Sequence, residues 1–173
     1  FPEGLTVPEI IDKLAENEVC DRAALLSVIN STEFSYSLVA GLTADEHVPY
    51  RLEGFLFPDT YEFYIGENAS SVIRRFLAQL EEQYPQKYRE RAKELGLTDY
   101  EVITIACIIQ KEAGSSDQMA NISSVIHNRL NNATQFPSLG CESTGDYITN
   151  FVAEALESSS AEHSADYYMN YYS

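Results

Sequence analysis

Thr98-Asp99-Tyr100-Glu101-Val102-Ile103-Thr104-Ile105-Ala106-Cys107-Ile108-Ile109-Gln110-Lys111-Glu112-Ala113-Gly114 has the marks of a helix from its start to its stop. Thr98 and Glu101, three positions apart, form a capping box in which side chain and backbone satisfy each other's open groups. Gly114 stands just past the expected end, where a helix commonly terminates. Val102, Ile105, Ile108 and Ile109 recur at the spacing of one helix face, and adding three to Ile109 gives Glu112. A carboxyl therefore extends the apolar stripe, and it does so in the last turn, where the helix dipole opposes negative charge. Both features favour the protonated acid. That is the form a general acid for a glycosidic oxygen needs. The plainer alternative is a glutamate that reaches past the helix end to water, or one that pairs with Lys111 or Arg129.

Outward from this element, most of the chain reads as helix. Towards the N-terminus, Thr6 and Glu9 make a second capping box with Pro8 in the first turn, ahead of the stripe Val7, Ile10, Ile11 and Leu14. Asp21 caps a short helix carrying Ala24, Leu25, Val28 and Ile29, and residues 32–50 read as a connection. The densest aromatic stretch, Arg51 to Tyr64, has apolar residues at 52, 55, 57, 61 and 63 and predicts extended structure broken by Gly54 and Pro58. Ser70 or Ser71 is expected to cap a helix through Val72, Ile73, Phe76, Leu77 and Leu80. Pro85 interrupts it, and a charged helix resumes up to the stop at Leu95-Gly96. Beyond Gly114, Asp117 is expected to open a helix through Ile122, Val125, Ile126 and Leu130. Residues 131–146 read as loop and about 147–157 as a last helix, ahead of Ser158-Ser159-Ser160 and a tyrosine-rich end. The fold class expected is α+β: a small N-terminal module over 1–50, then a mostly helical part over 51–173.

Composition narrows the function. Of 173 residues, 45% are apolar, with 12 Tyr and 8 Phe, enough to bury a core. No run reaches the ~18 apolar residues of a membrane span, and no secretory signal is expected, since residue 1 already lies in patterned sequence. The net charge of −16 is uneven, with 12 acidic and 3 basic side chains in residues 1–65. Such a field repels phosphate backbones and anionic lipid, which argues against nucleic-acid and peripheral membrane binding. Cys20, Cys107 and Cys141 match no metal-ligand spacing, and neither do His47, His127 and His163. No nucleophile elbow and no phosphate-cradling glycine loop is present, so no cofactor or metal is expected. Cys107, inside the run Ile105 to Ile109, is expected to be a buried small hydrophobe. Whether Cys20 and Cys141 pair is left open.

Three stretches together resemble a known family. Pro2-Glu3-Gly4-Leu5-Thr6-Val7-Pro8-Glu9-Ile10-Ile11 resembles the "PEG-T-V-x-x-I" segment of the YceG-like (MltG) family of endolytic murein transglycosylases. Leu52-Glu53-Gly54-Phe55-Leu56-Phe57-Pro58-Asp59-Thr60-Tyr61 matches that family's most specific signature, "LEG-(F/Y/W)-L-F-PDTY". Ala106 to Ala113, then Val125-Ile126-His127-Asn128-Arg129-Leu130, resembles its "AS-I-(I/V)-EKE" helix and the "V-F-x-NRL" that follows. The likeness covers about residues 1–150.

The resemblance implies a LysM-like N-terminal module and a lysozyme-like catalytic part that is incomplete at Ser173. It also implies a membrane helix ahead of Phe1, on the outer face of the bacterial cytoplasmic membrane. The implied reaction cuts the β-1,4 bond between N-acetylmuramic acid and N-acetylglucosamine in nascent glycan strands and leaves 1,6-anhydro ends. Peptidoglycan is the implied partner, together with cell-wall synthases of the penicillin-binding class. The implied catalytic residue is Glu112, with Glu53, Asp59, Tyr61, Asn128, Glu142 and Tyr147 as candidate substrate contacts. Two departures bear on the site. Gln110 stands where the family's first glutamate of "EKE" falls, and Leu139 to Tyr147 is only a loose counterpart of "L-Q-S-D-P-T-V-x-Y". Two rival readings follow: a lysozyme-type hydrolase using Glu142 or Asp146 as second carboxylate, and a non-catalytic glycan-binding or scaffold module.

Overall fold

A computed structural model describes residues 1–31, 33–43, 45 and 47–157. The expected last stretch, the serine run and the tyrosine-rich end, lies outside the described residues. Helix dominates what is described: α1 (Val7–Glu16), α2 (Arg22–Ser31), α3 (Ala69–Gln83), α4 (Gln86–Glu94), α5 (Asp99–Glu112), α6 (Met119–Leu130), α7 (Glu142–Tyr147) and α8 (Ala153–Glu157). A single 3-10 turn precedes α6, and a π-helical turn, Ile148–Val152, joins α7 to α8. The α+β expectation is corrected here. Among the described residues the β content is one isolated bridge between Asp45 and Val48. The expected extended run after Arg51 is instead turns and irregular chain. Gly54 takes φ +84 there, a left-handed value that a strand cannot hold.

The chain divides into two compact units, Phe1–Ile103 and a second that begins at Thr104, so the boundary falls inside α5. The expected module boundary near residue 50 lies within the first unit.

The first unit is built from its helix stripes. Thr6 and Glu9 form the reciprocal capping box, with Thr6 N–H donating to Glu9 Oε2 at 2.7 Å. Val7, Ile10, Ile11 and Leu14 of α1 are buried, with Leu25 and Ile29 of α2 and Val72, Ile73, Phe76 and Leu77 of α3. Asp21 caps α2 through its bond from Ala24 N–H. The cap of α3 is Asn68, which accepts from the Ser70 and Ser71 amides, and not either serine. An asparagine oxygen two residues ahead reaches both donors while the serines become the first helical turn. Tyr61 and Phe63 lie against Phe76, with ring centroids 4.4 and 5.8 Å away. Arg89 of α4 bridges Glu81 and Asp99, at 3.0 and 3.1 Å, tying α3 to the first turn of α5.

In the second unit Ile148, Val152 and Leu156 bury one stripe, with Tyr147 packed against it. Ile105 of α5 and Ile126 of α6 are buried as well. Cys107 is exposed, against expectation. At 100° per residue it lies across α5 from the stripe that carries Ile105 and Ile109, so an apolar run did not mean burial all round. Gln118, rather than Asp117, sits at the N-cap of α6. Its Oε1 accepts the Gly114 amide at 2.9 Å.

Candidate active site

The candidate site lies at the end of α5. The Thr98–Glu101 capping box starts the helix: Glu101 Oε2 accepts from Thr98 N–H and Oγ1 at 2.7 and 2.8 Å. These two bonds hold the Glu101 carboxyl below its ordinary value. Eleven residues after Glu101, Glu112 closes the helix, half-buried as its place on the apolar stripe requires. Its Oε1 accepts the Ser143 amide at 2.9 Å, across 31 residues of chain. Ser143 is the second residue of α7, whose first-turn amides have no partner within the helix. Glu112 therefore satisfies one of them. Among the described residues, neither Lys111 nor Arg129 pairs with it.

Two further groups frame this contact. Arg129, in the last turn of α6, donates from Nη1 to the Leu139 carbonyl and lies over the Phe136 ring, 5.8 Å from its centroid. Cys141, the N-cap of α7, points its thiol at the same carbonyl, 3.8 Å away. Burial raises this thiol, the Glu112 charge raises it further, and the Arg129 cation opposes both. Neither Cys20 nor Cys141 is bridged to another cysteine.

The other candidates separate into the two units. Glu142 is the first residue of α7 and exposed, directly before the Ser143 amide that meets Glu112. Asn128 is exposed on α6, and its backbone carbonyl accepts from Asn132 Nδ2. Tyr147 packs on the Ile148 cluster and tilts against Phe151.

Glu53, Asp59 and Tyr61 belong to the first unit, where the structure gives each an architectural job. Both oxygens of Glu53 lie 3.1 Å from the Val7 amide, the first N–H of α1. Asp59 accepts from Thr60 N–H and from Gln79 Nε2, at 2.7 and 2.6 Å. Tyr61 donates its hydroxyl to the Phe57 carbonyl at 2.7 Å. Burial, with the Asp59 charge second, pushes its phenol up. The Leu52–Tyr61 signature thus works as a knot: Leu52 and Phe55 fill the core, and the acids cap a helix start and brace a loop. Sequence reasoning missed the Ser143 amide, the Arg129–Leu139 bond and the placing of Cys141. The sequence offers Arg129 as a partner for Glu112, because spacing does not say where a loop returns.

A half-buried carboxyl with one oxygen held by a backbone amide is oriented for proton transfer at the other. The whole chain, residues 1–173, matches the YceG-like family. The chain belongs to the YceG-like family. Its YceG-like relatives include endolytic murein transglycosylases from Streptococcus pneumoniae serotype 2 (strain D39), 30% identical over 144 residues, and Bacillus subtilis (strain 168), 23% identical over 135 residues. These alignments take in 76% and 74% of the present chain but 26% and 38% of the relatives' own length. A crystal structure of a YceG-like protein from Listeria monocytogenes superimposes with a TM-score of 0.72 at 25% identity, over 87% of this chain and 51% of that one. The fold of a YceG-like protein is therefore shared.

Proposed function

We propose that this chain is part of a peptidoglycan lytic transglycosylase in which Glu112 is the acid and base. The observation that carries the reading is Glu112 itself, at the end of α5 and half-buried, with Oε1 fixed by the Ser143 amide, in a YceG-like chain whose relatives are named endolytic murein transglycosylases. The protonated carboxyl gives its proton to the glycosidic oxygen as the bond from the muramoyl anomeric carbon breaks. The resulting carboxylate takes the proton of the muramoyl C6 hydroxyl as O6 closes on that carbon, which leaves a 1,6-anhydro end and restores the acid. No water is consumed, so the second carboxylate of an ordinary glycosidase has no task. Asn128, Glu142 and Tyr147 are the candidate sugar contacts in the same unit.

Glu53, Asp59 and Tyr61 enter this proposal by resemblance alone, as does a LysM-like module over about 1–50, with α1 and α2 as its helices, ahead of a lysozyme-like catalytic part from about 51. Nascent glycan strands, cell-wall synthases as partners and a single-pass anchor on the outer face of the cytoplasmic membrane are proposed on the same footing. Among the described residues, no helix is long and apolar enough to cross a membrane.

The test is Glu112→Gln in the intact protein, with products read by mass spectrometry. The glutamine carbonyl still accepts the Ser143 amide but neither delivers nor recovers a proton. Anhydro-muropeptide release should fall by at least the ~10²- to 10⁴-fold that general acid–base catalysis supplies, with the thermal midpoint nearly unchanged. Retained anhydro product overturns the assignment. Reducing ends from the unaltered protein would favour the hydrolase reading with Glu142 or Asp146.

A further inference from the structure

We infer that Arg129 is a positioning residue: it holds the 136–141 loop so that the Ser143 amide meets Glu112. This inference rests on the reading of Glu112 as the acid/base only in its consequence for turnover, and not in its geometry.

Between α6 and α7 the chain has no regular structure after the turn at 131–135, and residues 130–138 are exposed. Such a segment has little apolar burial to hold it, and ordering it costs backbone entropy. Arg129 is the anchor. It is half-buried, and among the described residues it has no carboxylate partner. Its guanidinium instead donates to the Leu139 carbonyl and covers the Phe136 ring, gripping the loop at two points three residues apart. Gly140 completes the fit. It takes φ +59, and a Cβ there would stand 3.1 Å from Arg129 Nη1. The next residues are Cys141, whose thiol shares the Leu139 carbonyl, and then α7 with the Ser143 amide on Glu112. From Arg129 to the acid the path is therefore one bonded carbonyl, four residues of chain and one hydrogen bond. Arg129 and Lys111 are the two cations of residues 100–173, and Arg129 is committed to backbone and ring rather than to an acid.

The experiment follows the Ser143 amide and turnover together in the intact, 15N-labelled protein. Arg129→Gln is too short to hold both Leu139 and Phe136. Arg129→Lys keeps a charged donor but loses the planar contact with the ring. Gly140→Ala leaves Arg129 in place and crowds it. Expected are faster hydrogen exchange at the Ser143 amide in Arg129→Gln and Gly140→Ala, with partial recovery in Arg129→Lys. Amides of α1 to α3 should keep their exchange rates. In parallel, kcat for anhydro-product release should fall about tenfold to a hundredfold, the scale of a misplacement of about 1 Å at a reacting group, with KM within about twofold. Arg129→Lys should regain part of that loss. Unchanged Ser143 exchange in the folded variants overturns the positioning role, and so does faster exchange with unaltered kcat. If the unaltered protein releases no anhydro product, the transglycosylase reading falls, while the exchange data still decide whether Arg129 holds the loop.

Discussion

Glu112 sits where two demands meet, because it ends the apolar stripe of one helix and supplies an acceptor to the first turn of another. Cys141, one residue ahead of that turn, registers the local field. Its thiol is raised first by burial and then by the Glu112 charge, and lowered by Arg129. The Glu112 contribution can be tested by itself. In Glu112→Gln the raising charge is gone, so the midpoint of the Cys141 alkylation profile against pH should move down. Peptide mapping by mass spectrometry isolates Cys141 from the other two thiols. Equal midpoints in the two proteins would mean that the Glu112 charge does not lie near the thiol in solution.

Helix α5 depends on its first turn as much as on its stripe. The Thr98–Glu101 box satisfies open amides reciprocally, and a Thr→Ala change at such a cap costs about 1 kcal/mol. Thr98→Ala should therefore lower the stability of the helix by about that much, read from denaturant midpoints. The pH dependence follows from the lowered Glu101 carboxyl. A depressed folded value means the contribution is fully present above the unfolded value of about 4.3. It is lost as pH falls through the folded value. Thr98→Ala and Glu101→Gln should thus differ from the unaltered protein near neutrality and converge with it in acid. A gap that persists at low pH would show that the box acts through something other than the carboxylate. Glu53 plays a related part for α1, through the Val7 amide.

Burial in the first unit is concentrated on few side chains. Phe76 is fully buried, and the Phe1, Tyr61 and Phe63 rings lie within 6 Å of its centroid. Phe76→Ala should cost about 3–5 kcal/mol, the range for a deleted core aromatic. Chemical denaturation with amide exchange across α1 to α3 checks it. A loss below about 1 kcal/mol would mean that the ring cluster collapses onto the gap. The same knot explains why the Leu52–Tyr61 signature is so dense: its apolar members fill this unit and its acids close backbone donors. The charge of −16 lies outside that account.

What was legible in the sequence was local. The α1 and α5 capping boxes, the Asp21 cap, the stop at Gly96 and the buried stripes of α1 and α3 all depend on residues within about four positions of one another, the reach of a helical turn. The family signature was legible too, because it is a string. Tertiary structure decided the rest. Alternating apolar residues after Arg51 gave no strand, because a ladder needs a partner chain segment and these side chains enter a helical core instead. Cys107 faced outward because one helix can bury only the stripe its neighbours cover. Above all, the site was closed by an amide 31 residues from Glu112 and by an arginine that chose a carbonyl over a carboxylate. Backbone donors carry no residue identity, so no pattern of side chains could announce them; only the path of the returning loop could.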